Sequence, residues 1–233
     1  GDCLTEMSKV QDHTVNMIFT DLPYGTTKNA WDVPIPLDCL WEQYRRVLKP
    51  GGAVLLFAQM PFGADLINSN RRWYRYEWIW HKTMPVGFLN ANRMPLRTHE
   101  NILVFYEHLP TYHPQKTPGK PYTALRSARA THNYGHFDRA TTINDGERYP
   151  RDVLTFSNGN NASKIHPTEK PVDLLEYMIR TYTDVGDTVL DSCMGSGSCG
   201  VACHHLGRSF IGIEKDPGYF DAARKRIANA AEQ

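Results

Sequence analysis

An α/β fold with a mostly parallel sheet and helices on both faces is what this sequence predicts, on three observations. Short apolar, β-branched runs alternate with segments whose apolar residues recur at helical spacing. A glycine-rich stretch lies between one such run and the helix after it, where open α/β sheets turn from strand to helix. The 233 residues, 41% hydrophobic and 22% charged, suit one large domain that can fill a core without disulfides.

Other classes are excluded. No apolar run nears the roughly 18 residues of a membrane span, and the amino end has neither the basic nor the apolar stretch of a signal peptide. Cys3, Cys39, Cys193, Cys199 and Cys203 are odd in number and irregularly spaced, as reduced thiols of a cytoplasmic protein would be. The chain opens on Gly1 rather than methionine, as a segment of a longer gene product would.

Val15 to Thr20 is the first strand, a buried run ending at Asp21. Leu37, Leu40, Trp41, Tyr44, Val47 and Leu48 form a helical stripe, which Lys49-Pro50-Gly51-Gly52 stops. Ala53 to Ala58 is the next strand, with a helix following through Ile67. Tyr76 to Trp80 and Ile102 to Tyr106 are further strands, and the alternating Tyr76, Trp78 and Trp80 are expected to pack rather than meet a ligand. Pro171 to Tyr182 is a helix, Thr188 to Leu190 a strand, Ser198 to Leu206 a helix and Phe210 to Ile213 a strand. Asp216-Pro217 then caps a helix running to about Ala230.

From Thr111 to Asn161 apolar periodicity vanishes and no long helix is expected, the mark of a functional insertion. The net charge of +1 also hides an asymmetry. Residues 71 to 151 carry 13 Lys and Arg against 6 Asp and Glu, leaving the remainder net acidic. A basic region on an acidic body suits a polyanion, nucleic acid first, although a solvated surface has the same composition.

Two segments carry chemistry. In Asp191-Ser192-Cys193-Met194-Gly195-Ser196-Gly197-Ser198-Cys199-Gly200 the glycines fit G-x-G-x-x-G, and Glu214 ends the following strand. Such glycines admit a ligand close to the backbone, and the carboxylate can accept ribose hydroxyls, so the ligand is an adenosine-bearing cofactor. Asp191 puts negative charge beside the turn, which favours a sulfonium cofactor over a dinucleotide. Cys199 and Cys203 share a helix face, but their spacing fits no common zinc pattern and no metal is expected. In the second segment, Asp21-Leu22-Pro23-Tyr24-Gly25 leaves the first strand at the sheet's carboxyl edge. A carboxylate and a backbone carbonyl there can accept from an exocyclic amine while the ring stacks on its base, which must first be flipped out of a duplex.

These residues resemble the S-adenosylmethionine-dependent amino-methyltransferases of DNA. Asp21 to Tyr24 is similar to their catalytic D-P-P-Y, and Asp191 to Gly197 to their D-P-F-x-G-S-G cofactor motif. His166-Pro167-Thr168-Glu169-Lys170-Pro171 matches their H-P-T-x-K-P. The order, catalytic motif before cofactor motif, is that of the permuted β subclass. The resemblance implies a Rossmann-like methyltransferase fold with a catalytic half (1–110), an inserted target-recognition region (111–161) and a cofactor half (162–233). It implies catalytic roles for Asp21, Leu22, Pro23 and Tyr24. It implies S-adenosylmethionine held by Asp2, Cys3, Thr168, Lys170, Asp191, Met194, Gly195, Gly197 and Glu214, with Thr168 and Lys170 at its carboxylate. Double-stranded DNA is the implied partner, without a membrane; a homodimer and a restriction endonuclease acting alongside are compatible with it. Leu22 stands where the family has proline, and its side chain is expected to be incidental. Ser192-Cys193 replaces Pro-Phe, with a looser methyl-transfer pocket expected.

Asp at the first motif position resembles the N6-adenine enzymes, whereas N4-cytosine enzymes more often carry Ser, so adenine is expected. Three alternatives stay open on sequence: N4-cytosine, a nicotinamide-dependent oxidoreductase using the same glycine turn, and a catalytically silent nucleic-acid binder.

Overall fold

The computed structural model describes residues 1–25, 32–131, 135–158 and 169–230. They form two units, 1–113 with 152–233 and, separately, 114–151.

In the first unit a short helix α1 (Cys3–Met7) precedes β1 (Val15–Thr20), α2 (Leu37–Val47), β2 (Leu48–Ala58), α3 (Phe62–Ser69), β3 (Tyr74–Val86) and β4 (Arg97–Phe105). In the second unit β5 (Thr117–Pro118), β6 (Tyr122–Arg126) and β7 (Arg129–Thr131) pair antiparallel with β10 (Glu147–Arg148), β9 (Ala140–Asn144) and β8 (Gly135–Phe137). The pairings nest, so the described strands of 114–151 form three successive two-stranded antiparallel ladders. The first unit resumes with β11 (Val153–Phe156), α4 (Val172–Tyr182), β12 (Thr188–Asp191), α5 (Ser198–His205), β13 (Ser209–Gly212) and α6 (Pro217–Ala230).

Its seven strands run in the order β11-β3-β4-β2-β1-β12-β13. All neighbours are parallel except β4, which is antiparallel to both β2 and β3. Alternate residues feed two cores. Ile18, Val54 and Leu56 meet Leu40, Trp41 and Tyr44 of α2 on one face. Phe19, Leu55 and Phe57 meet Leu174, Met178 and Ile179 of α4 and Ala202 of α5 on the other. Trp78 and Trp80 are buried, and Trp78 Nε1 donates to Tyr182 Oη at 2.7 Å, so the tryptophans pack as expected.

This topology places the site. From β1 the chain steps to β2 on one side, and from β12 to β13 on the other. Between β1 and β12, paired in parallel at Ile18 and Leu190, the winding reverses and a crevice opens beyond the strand ends. Asp21 and Asp191 emerge side by side there.

Candidate active site

A cavity of about 660 Å³ occupies the crevice, within the size range of small-molecule sites. Asp2, Cys3, Asp21, Leu22, Pro23, Tyr24, Lys170, Asp191, Met194, Gly195 and Glu214 all line it, so residues far apart in sequence converge. Thr168, with His166 and Pro167, falls outside the described residues.

Gly197 does not line the wall. It adopts φ +75°, and a Cβ there would lie 2.9 Å from Ala223 Cβ of α6; one on Gly200 would lie 2.4 Å from Ile227 Cδ1. These two glycines let α6 close on α5. Gly197→Ala is therefore expected to lose about 1–3 kcal/mol of stability by overpacking, read as a lower thermal midpoint, with cofactor affinity retained in the folded fraction.

At the cofactor-motif end, Glu214 accepts from the amides of Gly195 and Asp216, both at 2.9 Å, and so ties the glycine turn to the entry of α6. Glu169 pairs with Arg226 of α6 at 2.8 Å. Asp2 caps α1, accepting from Leu4 N at 3.1 Å and Thr5 N at 3.3 Å. Ser192, standing where the family has proline, hydrogen-bonds Tyr44 Oη at 2.7 Å in the core. The Cys193 thiol hydrogen-bonds that of Cys3, both being free cysteines, which draws Cys3 below its ordinary pKa and pushes Cys193 above. Both departures thus have local partners.

Asp191 is buried at the cavity wall. Burial pushes its carboxyl up to about 7, against hydrogen bonds from Thr20 and the Cys193 amide, 3.1 Å away. No cation pairs with it among the described residues. A positive group in the cavity would draw the carboxyl back to its ionised form.

The Asp21 end is a buried charge network. Lys170 Nζ touches Asp21 Oδ2 and lies 3.4 Å from Glu100 Oε1, and Lys82 Nζ lies 2.8 Å from Glu100 Oε2. Tyr24 Oη lies 2.9 Å from Asp21 Oδ1 and 3.1 Å from Glu100 Oε1. Lys170 rests over the Phe57 ring at 4.8 Å and Lys82 over Trp80 at 4.7 Å. Two cations thus balance two carboxylates.

Burial raises the Asp21 carboxyl above the ordinary aspartate range, with Lys170 working against it. Burial acts to raise Glu100 too, but Lys170 and Lys82 hold it below its usual value. Burial would lower Lys170, yet Asp21 and Glu100 carry it up to about 12. Tyr24 is raised by burial and by both carboxylates, so its hydroxyl stays protonated.

One expectation needs revision. Leu22 is 3% exposed and belongs to the α2-side core, so its side chain is structural, not incidental. Leu22→Pro would remove packing, and lost methylation in that variant would report on the fold as well as the turn. Lys170, assigned from sequence to the cofactor's carboxylate end, has Asp21 and Glu100 as its partners here.

Sequence reading missed Lys82, Phe57 and Phe62, whose ring stacks on Tyr24 at 4.9 Å. A signal was present: Lys82 and Glu100 are charges in runs otherwise rich in strand-forming apolar residues.

A carboxylate turn and an adenosine-type glycine turn sharing one crevice define a group-transfer enzyme of the open α/β class. The DNA methylase family profile, N6_N4_Mtase, matches residues 15–225, and the chain belongs to that family, whose members depend on S-adenosylmethionine. It is 29% identical to the type II methyltransferase M.HpaI of Haemophilus parainfluenzae, over 97% of this chain and 72% of that one. To M2.DpnII of Streptococcus pneumoniae it is 28% identical, over 97% and 87%. Among solved structures, the M1.HpyAVI complex with S-adenosylmethionine superposes with a TM-score of 0.67 at 25% identity, covering 97% of this chain and 96% of that one. The cytosine-N4-specific PvuII methyltransferase shares the fold, with a TM-score of 0.68 at 16% identity over 100% and 89%. Family membership replaces the oxidoreductase reading of the glycine turn.

The residues fit the cofactor chemically. Asp191 is a buried carboxylate without a cationic partner among the described residues, and Glu214 offers acceptor oxygens at the adjoining turn.

Proposed function

We propose that the chain transfers a methyl group from S-adenosylmethionine to the N6 amine of adenine in a specific sequence of double-stranded DNA. The observation that carries this reading is Asp21, an acceptor carboxylate held at the cavity by Lys170 and Tyr24. Asp at this motif position favours adenine over cytosine N4. The absence of any Pro-Cys dipeptide argues against cytosine C5 chemistry, which needs a thiol nucleophile.

S-adenosylmethionine supplies, when bound, a methyl group on a positively charged sulfur. Asp191 would hold its positive portion, Glu214 its ribose, and Met194 and Gly195 its flank; Asp2 and Cys3 would lie by its adenine. Asp21 accepts one N–H of the target amine and the Leu22 carbonyl accepts the other, biasing the nitrogen lone pair out of conjugation. Asp21 is also the group placed to take the proton the amine sheds. Lys170 favours its ionised form against burial. Tyr24, fixed through its hydroxyl and covered on one face by Phe62, offers its other face to the flipped base.

Residues 114–151 would carry target recognition. They hold seven Lys and Arg against three acidic residues, on ladders whose side chains, where described, are mostly exposed. The type II naming of M.HpaI and M2.DpnII supports an endonuclease of matching specificity acting alongside.

Glu214→Ala is expected to weaken S-adenosylmethionine by about 1.5–3 kcal/mol, the range for hydrogen bonds to a charged group. Calorimetric titration measures it, and an unchanged affinity would remove Glu214 from the site. Single-molecule sequencing of DNA from cells expressing the protein tests the whole reading. Methyl marks on adenine in one recurrent context support it; marks on cytosine, or none, overturn it.

A further inference from the structure

We propose that the β3–β4 tip, led by Phe88 and Leu89, is an apolar wedge that enters the DNA base stack vacated by the target base. The inference rests on the reading above that this site acts on a base in duplex DNA.

Phe88 and Leu89 are 67% and 101% exposed, and Met84 and Met94 beside them are exposed as well. So large an apolar tip on one hairpin is costly in water unless a partner covers it. The tip is built rather than frayed. Gly87, at φ +96°, turns the chain into a single 3₁₀ turn, Phe88–Asn90. Asn90 N donates to Gly87 O at 3.0 Å, Ala91 N to Phe88 O at 3.1 Å and Arg93 N to Asn90 O at 2.9 Å. Below the tip, Asn158 clamps Met84, accepting from its amide at 2.9 Å and donating to its carbonyl at 2.8 Å.

The tip is tied to the catalytic turn. Glu100, which lies 3.1 Å from Tyr24 Oη, is three residues beyond Arg97 on β4. Arg97 bonds Gln59, and Phe62, three residues further on, stacks on Tyr24.

Charge selects the partner. From Thr83 to His99 the chain has Arg93 and Arg97 and no acidic residue, so the apolar tip stands in a basic, phosphate-compatible setting. An apolar protein partner would not need those arginines. Extruding a base leaves a gap in the stack, and Phe, Leu and Met are the side chains that enter base steps elsewhere.

The test compares the unsubstituted enzyme with the Phe88→Ala/Leu89→Ala double variant and with Phe88→Leu. Two duplexes carry the sequence the enzyme methylates, one fully paired and one with an abasic residue opposite the target. On the paired duplex the double variant should lose about tenfold or more in kcat/KM. On the abasic duplex, where unpairing is already achieved, it should come within about threefold of the parent. Phe88→Leu should keep most activity on both, and S-adenosylmethionine affinity should not move in either variant. Parent-like rates on the paired duplex, or equal losses on both duplexes, would overturn the wedge. A parent enzyme that marks cytosine overturns the base assignment and leaves this test in force. A parent that labels no DNA overturns the functional reading and the wedge together, before any variant is made.

Discussion

Asp21→Ala is expected to reduce methyl transfer by about 10²–10³-fold, the loss seen when one preorganised hydrogen-bonding group is removed from a reacting centre. The substitution deletes the acceptor for the target amine, and no other carboxylate takes its place, because Glu100 is held by Lys82 and Lys170. Removing Asp21 leaves Lys170 on Glu100, so the network keeps one cation for its remaining carboxylate and a second beside it. That excess buried cation should cost stability, so turnover is compared per folded enzyme. Cofactor affinity should hold, since Asp191 and Glu214, not Asp21, are the carboxylates proposed to hold the cofactor. Single-turnover kinetics and calorimetric titration separate the two effects. A folded variant with parent-like turnover would exclude Asp21 as the acceptor.

Lys170→Met is expected to damage stability and activity together, in a pH-dependent way. Lys170 is the cation touching Asp21, since Lys82 reaches only the far oxygen of Glu100. Breaking a buried pair from one side leaves an uncompensated charge, a loss of about 3–5 kcal/mol. In the parent, the lysine's folded value of about 12 lies above the ordinary lysine range, so its contribution is intact at neutral pH and vanishes only as pH rises through that value. In the variant the sign reverses. Asp21, already raised by burial, is raised further, so the variant should gain stability as pH falls through that value and the carboxyl takes a proton. Activity should move the opposite way, because the protonated carboxyl is a weaker acceptor and cannot take the amine's proton, and the acid limb of the kcat profile should shift to higher pH. Thermal melts and rate profiles over the same buffers check both. A limb that stays in place would mean Lys170 does not govern Asp21.

Strands β1 and β12 and the 53–58 part of β2 could be read from sequence because each is a largely buried run. The start of β2, Leu48 to Gly52, reads instead as a helix end and stop, because Lys49 and Pro50 are exposed. Helix α1 could not: five residues are too few to show a period. The strands of 114–151 were hidden for a different reason. Most of their described residues are exposed, so nothing forces apolar and polar residues to alternate. Strand β11 fell inside the expected insertion because it is half-buried at the sheet's edge, and only its pairing with β3 shows where it belongs.

The site divides along similar lines. Motif residues with short-range logic, Asp21 to Tyr24 and Asp191 to Gly195, line the cavity as their order suggested. Gly197 fits the same motif, but the helix behind it is what demands glycine there. The union of Lys170 with Asp21, 149 positions away, depends on the fold bringing the end of β1 to the entry of α4. No local pattern encodes that distance.

The proposed methylation of the exocyclic amine of adenine through Asp21 has one direct test. The direct measurement incubates the protein with unmethylated DNA and S-adenosylmethionine carrying a radioactive methyl group, then digests the DNA and separates its nucleosides. The account predicts label in N6-methyladenine for the unsubstituted chain and its near-complete loss for Asp21→Ala. Label in N4-methylcytosine, or equal label from the Asp21→Ala variant, would contradict it.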